Sequence, residues 1–151
     1  MSCGIEDVER RILILTGGLH EPRKVEVYGW EGYQSDMSSL QSGRHSHGCA
    51  GYYREVFGEK SLVMVVAGGL NRFNRSLSTV ERYEFNEDRY WSYVSPLPVP
   101  LTGLRGVTVD NTIFMLGRVD LKIFLYVLKQ CLFLGLSNLR EDFKMNPSPS
   151  F

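Results

Sequence analysis

The sequence predicts an all-β chain assembled from repeated units of short antiparallel strands, and three observations carry that prediction. First, a doubled glycine behind an apolar run occurs twice, at Gly17-Gly18 and Gly68-Gly69, and nearly a third time at Gly117, where Arg118 stands in the second place. Second, the spacing is regular: 68 − 17 is 51 positions and 117 − 68 is 49. Self-similarity at a period of about 50 residues is the mark of a repeat architecture. Third, the stretches between the glycines alternate apolar and polar residues and are bounded by turn formers, which is the pattern of half-exposed strands.

The elements follow in order. Ile12-Leu13-Ile14-Leu15-Thr16 runs into Gly17-Gly18, and Leu62-Val63-Met64-Val65-Val66-Ala67 runs into Gly68-Gly69. Each reads as a buried strand closed by a tight reversal, where glycine takes positive φ without steric cost. After Gly69 a polar loop over residues 70–78 leads to Thr79-Val80-Glu81-Arg82-Tyr83, an alternating strand expected over residues 78–83. Asn86-Glu87-Asp88 then turns the chain into Tyr90-Trp91-Ser92-Tyr93-Val94, and the prolines at 96, 98 and 100 end the unit. Gly106-Val107-Thr108-Val109 opens the next, with Asp110-Asn111 as the hairpin turn into a strand over residues 113–116. Four short, turn-bounded strands per unit make one blade of a β-propeller.

The stretch from residue 11 to 118 resembles kelch repeats. In that family a Gly-Gly ends the second strand, a Tyr lies on the third and a Trp on the fourth. Gly68, Gly69, Tyr83 and Trp91 match those places. In the first unit Gly17, Gly18 and Val25-Glu26-Val27-Tyr28 match, while the loop is four residues shorter, since Gly18 to Val25 is 7 positions and Gly69 to Val80 is 11. Trp30 lies too close to Tyr28 to be that unit's fourth-strand residue. Gly43-Arg44-His45-Ser46-His47-Gly48-Cys49-Ala50 resembles the Arg- and His-containing segment that opens a kelch blade. The resemblance implies an incomplete kelch-type propeller of two to three four-stranded blades, whereas the family closes rings of roughly five to seven.

The chain divides accordingly into an N-terminal segment 1–10, kelch-like repeats 11–118 and a non-repeat part 119–151, expected to be an irregular or helical extension. Beyond Arg118 there is no second glycine, no Val-Glu-x-Tyr and no Trp. Residues 121–136 include twelve aliphatic, aromatic or Cys side chains among sixteen, and a polar tail ends at Phe151. An amphipathic helix with Leu121, Phe124, Leu125, Leu128 and Leu132 on one face, or a packed strand pair, both suit this stretch. As a membrane span it is short and interrupted by Lys122 and Lys129. A repeat abandoned mid-blade suggests a truncated or alternatively spliced product, or a shifted reading frame.

Composition narrows the partners. Acidic and basic side chains balance at 17 each, and no block of like charge occurs, so neither nucleic acid nor an anionic membrane is expected to bind. Cys3, Cys49 and Cys131 are odd in number and far apart, which speaks against a disulfide framework and for a reducing, cytoplasmic setting. The start of the chain lacks the basic and apolar regions of a signal peptide.

Catalytic readings are few. His45, His47 and Cys49 alternate and on a strand would share one side, a partial zinc set without a fourth ligand in sight. Ser46 lacks the Gly-x-Ser-x-Gly elbow, and the glycine pairs lack the Lys of a phosphate loop. Asn74-Arg75-Ser76 fits the glycosylation pattern, and Tyr83, Trp91 and Tyr93 could stack on a sugar or base, though blade packing accounts for the first two. No cofactor and no metal are expected. The resemblance implies a protein-interaction module, as in substrate adaptors and actin-binding kelch proteins. A fragment of a kelch-like sugar-processing or oxidative enzyme is the alternative, and a non-functional truncated product a third. The expected contact surface is the loop Asn71, Arg72, Phe73, Asn74 and Arg75, whose two guanidiniums and aromatic ring have the composition of a binding hot spot. Uncovered blade faces are expected to drive self-association.

Overall fold

The computed structural model describes residues 2–119 and 122–128, and among them every regular element is a β-strand. β1 (Cys3–Asp7), β2 (Ile12–Thr16), β3 (Val25–Gly29) and β4 (Gly32–Asp36) form one antiparallel sheet. β5 (Gly48–Val56), β6 (Glu59–Ala67), β7 (Val80–Glu84) and β8 (Ser92–Val94) form a second. β9 (Thr102–Val109), β10 (Thr112–Val119) and β11 (Lys122–Leu128) form a third. Each sheet is a meander in sequence order, so every hairpin is local. The sheets adjoin through their first strands, β1 against β5 and β5 against β9.

Two apolar layers glue the sheets. In the first, Ile5, Ile14, Val25 and Val27 meet Cys49, Leu62, Met64, Val66 and Trp91. In the second, Ala50, Val65, Ala67 and Val80 meet Leu97, Leu101, Leu104, Ile113 and Met115. β6 therefore lies between two cores, which is why its run from Leu62 to Ala67 is buried on both faces, while along β2, equally apolar from Ile12 to Leu15, the burial alternates. Each such side chain contributes roughly 1.5–3 kcal/mol on burial.

The repeat is visible in the backbone hydrogen bonds. Gly17 N–H donates to Lys24 O (2.8 Å) and Gly68 N–H to Thr79 O (3.1 Å). Gly18 N–H donates to Arg44 O (3.0 Å) and Gly69 N–H to Leu101 O (2.7 Å). Arg44 N–H donates to Pro22 O (2.7 Å) and Leu101 N–H to Leu77 O (3.0 Å). The offset grows along the unit, from 68 − 17 = 51 through 79 − 24 = 55 to 101 − 44 = 57. The first step of four is the longer loop after Gly69, as the sequence predicts. The glycines are required by geometry: Gly68 has φ +61°, and a Cβ there would lie 2.3 Å from Leu104 Cδ1 and 2.6 Å from Leu101 O.

Three expectations change. Cys3–Asp7, placed by the sequence outside the repeats, is the first strand of the first sheet. Its alternation was concealed because Asp7 is a buried position occupied by a charge. Residues 122–128 are neither helical nor irregular but pair with β10 as the third strand of the third sheet. The side-chain pattern of that segment suits either period, and pairing with β10 decides it. Finally, Cys3 and Cys49 form a disulfide, with Cα atoms 6.0 Å apart, because the packing of β1 on β5 joins residues 46 positions apart. The cysteine count therefore carries no argument for a reducing compartment. Cys131 and residues 129–151 lie outside the described residues, and no helix among those described is long and apolar enough to cross a membrane.

Candidate functional site

The loop predicted as the contact surface leaves the Gly68-Gly69 reversal at the junction of the second and third sheets. Leu70 forms β-bridges with His45 on one side and Ser76 on the other, and Leu77 bridges to Leu101, so both feet of the loop are pinned. Inside it, Asn71 is the organiser. Its Oδ1 accepts N–H bonds from Phe73 (2.9 Å) and Arg75 (3.1 Å), its N–H donates to Arg75 O (3.0 Å), and its carbonyl accepts from Asn74 N–H (2.9 Å). Asn74 takes φ +56°, a conformation Asn tolerates. Arg72, Phe73, Asn74 and Arg75 are thereby held out into solvent. The Arg72 guanidinium sits 4.6 Å over the Phe73 ring, a cation–π pair that stiffens both side chains.

Beneath the loop is an ionic joint that the sequence does not announce. The guanidinium of Arg44 is fully buried and all five of its N–H groups are used. They donate to Gly68 O (2.8 Å), Thr79 O (2.9 Å), Thr79 Oγ1 (3.0 Å), Ser42 O (3.3 Å) and Glu81 Oε1 (2.5 Å). Burial draws the Arg44 pKa down, opposed by the charge of Glu81. Glu81 also accepts the backbone N–H groups of Gln41 (2.6 Å) and Ser42 (3.0 Å). Since Arg44 O accepts from Gly18, this one residue ties the first sheet by its backbone and the second by its side chain. Glu26, at the place of Glu81 in the first sheet, pairs instead with Lys24 (2.9 Å).

The aromatics singled out by the sequence sort by sheet. Trp91 is buried just before β8, its Nε1–H donating to Ser38 O (3.0 Å), with its ring centroid 5.5 Å from that of Tyr83. Tyr28 is half-buried and packs edge-on against Tyr33 (5.8 Å). Trp30 is 96 % exposed in the β3–β4 turn.

The alternating His45, His47 and Cys49 do not share one side. Ser46 takes φ +54° and breaks the alternation, His45 bridges to Leu70, and Cys49 is bonded to Cys3. His47 is buried, its Nε2 2.9 Å from Thr16 Oγ1 and its Nδ1 without a partner. Burial, helped by the nearby charge of Arg44, pushes its pKa down to about 3. Among the described residues no three His, Cys, Asp or Glu side chains group as a metal would need. A second buried charge, Asp7, joins the same two sheets. Burial raises its pKa, but hydrogen bonds from Arg10 and from Tyr53 of β5 (2.8 Å) outweigh that and hold the carboxyl below its usual range.

Comparison with protein-family models and with curated proteins gives no match to this sequence.

Proposed function

We propose that this chain is a kelch-type propeller segment serving as a protein-interaction module, with Asn71, Arg72, Phe73, Asn74 and Arg75 as its contact surface. The observation that carries the reading is the self-organised loop. Asn71 fixes its shape before any partner arrives, so less conformational entropy is lost on binding. Arg72 and Arg75 supply two positive charges and Phe73 an exposed ring, which suits a partner segment bearing carboxylates beside an apolar side chain. The kelch reading is supported by the Gly-Gly, Tyr and Trp positions and by the recurrence of the glycine hydrogen bonds between the first two sheets.

The test is an array of acidic peptides with and without a neighbouring aromatic residue, bound to the wild-type chain and to Arg72→Ala and Phe73→Ala. Peptides selected by the wild type are expected to bind either variant roughly 30-fold more weakly, the size of a hot-spot loss. The thermal midpoint should stay unchanged, since both side chains are exposed. Equal binding by all three proteins would move the contact surface elsewhere.

A further inference from the structure

We propose that Asn74 is an N-glycosylation site and that the sugar it carries covers the contact loop. The site itself goes beyond the loop reading and stands without it, and only the covering of a contact surface rests on that reading.

An acceptor asparagine is followed two places on by Ser or Thr, with any residue but Pro between. Asn74-Arg75-Ser76 is the one stretch of the sequence that meets this rule. Asn146-Pro147-Ser148 has the hydroxyl, but its proline excludes it.

The fold sets that acceptor where a bulky, solvated group fits. Asn74, Arg75 and Ser76 are all exposed, in a loop whose feet are pinned by the bridges from Leu70 and Leu77. The bracing of the loop runs through Asn71 Oδ1 and backbone groups, to which Asn74 contributes its N–H. Substitution at Asn74 Nδ2 leaves every one of those bonds in place.

A second observation, remote from the loop, points the same way. Cys3 and Cys49 are joined as a disulfide across 46 positions of sequence. Disulfides form and persist in oxidising compartments, the lumen of the secretory route among them, and it is in that lumen that asparagine receives its sugar. A reducing cytosol offers neither. The acceptor and the disulfide thus call for one and the same compartment.

In the transfer, Asn74 Nδ2 attacks the anomeric carbon of a lipid-pyrophosphate-linked oligosaccharide. A carbon–nitrogen bond forms as the bond from that carbon to the pyrophosphate oxygen breaks. The lipid pyrophosphate leaves, the proton lost from Nδ2 passes to a base of the transferase, and nothing is oxidised or reduced. The sugar then stands between Phe73 and Arg75 and shields both from a protein partner.

The test isolates the full chain from the cells that make it, with free thiols alkylated before lysis, and weighs its peptides before and after peptide-N-glycosidase treatment. The peptide carrying Asn74 is expected to bear an oligosaccharide that the enzyme removes, converting that asparagine to aspartate, while Cys3 and Cys49 escape alkylation. Ser76→Ala, made in the same cells, should lose the sugar, and Ser76→Thr should keep it. An unmodified Asn74 in the wild type, or Cys3 and Cys49 found as alkylated thiols, would overturn the proposal. Acidic peptides that bind the sugar-free Ser76→Ala chain should bind the glycosylated wild type roughly tenfold more weakly. Equal binding beside a demonstrated sugar would overturn the covering, and with it the loop as contact surface, but not the site.

Discussion

Arg44 and Glu81 lie 2.5 Å apart with neither side chain exposed, on segments 37 positions apart in the sequence. Around that pair, the strand that opens the second sheet is fixed both to its own third strand and to the first sheet's glycine turn. Removing one partner leaves the other charge buried and unpaired. Arg44→Met or Glu81→Gln is therefore expected to cost about 3–5 kcal/mol in chemical denaturation. The double variant should cost clearly less than the sum of the two, and an additive result would show that the charges are solvated.

Gly68→Ala should be costly for two separable reasons. A left-handed backbone costs an L-residue about 1–2 kcal/mol, and overpacking adds about 1–3 kcal/mol. Gly58 provides the control, since it has φ +83° but open space around its Cα. Gly58→Ala should show the backbone cost alone, and urea midpoints for the two variants measure the difference.

Trp91→Ala should cost about 3–5 kcal/mol, the range for emptying a buried aromatic site. The loss of the ring leaves Tyr83 and the Ser38 carbonyl without their partner. An unchanged denaturation midpoint would place Trp91 at the surface.

Stability should fall as pH drops from about 6.5 towards 3. His47 is held neutral in the fold, with a pKa of about 3 against an ordinary 6.5. Within that window the unfolded chain binds a proton that the folded chain refuses, so each pH unit removes about 1.4 kcal/mol. Asp7, whose pKa is lowered, adds its own loss only at the acid end, below its ordinary 3.8. His47→Leu, which copies Leu104 at the equivalent place in the third sheet, should flatten the slope between pH 6 and 4.

Much of the scaffold was legible in the sequence because it depends on local chemistry. Gly-Gly after an apolar run marks β2 and β6, and Asp110-Asn111 marks the β9–β10 turn, both residues having positive φ. The two guanidiniums and the ring of residues 71–75 are adjacent in sequence and so visible there, while the bracing of that loop by Asn71 was not read. The joints were invisible for a different reason. Arg44–Glu81, Asp7–Tyr53 and Cys3–Cys49 pair residues 37, 46 and 46 positions apart, and only the stacking of sheets brings them together. A buried carboxylate such as Asp7 reads as a surface residue until its partners are known. β11 was ambiguous because an apolar stretch of that length suits a helix or a strand until its neighbour decides.

The glycine turns are the joints between successive sheets, and residue-resolved amide hydrogen exchange of Gly18 and Gly69 tests that most directly. Both N–H groups lie outside the strand ladders, yet each donates to the opening segment of the following sheet, at Arg44 O and Leu101 O. The expected result is slow exchange at both, comparable to the amides of β2 and β6. Exchange at loop rates at either glycine would show that the corresponding sheets do not share this joint and would contradict the repeat.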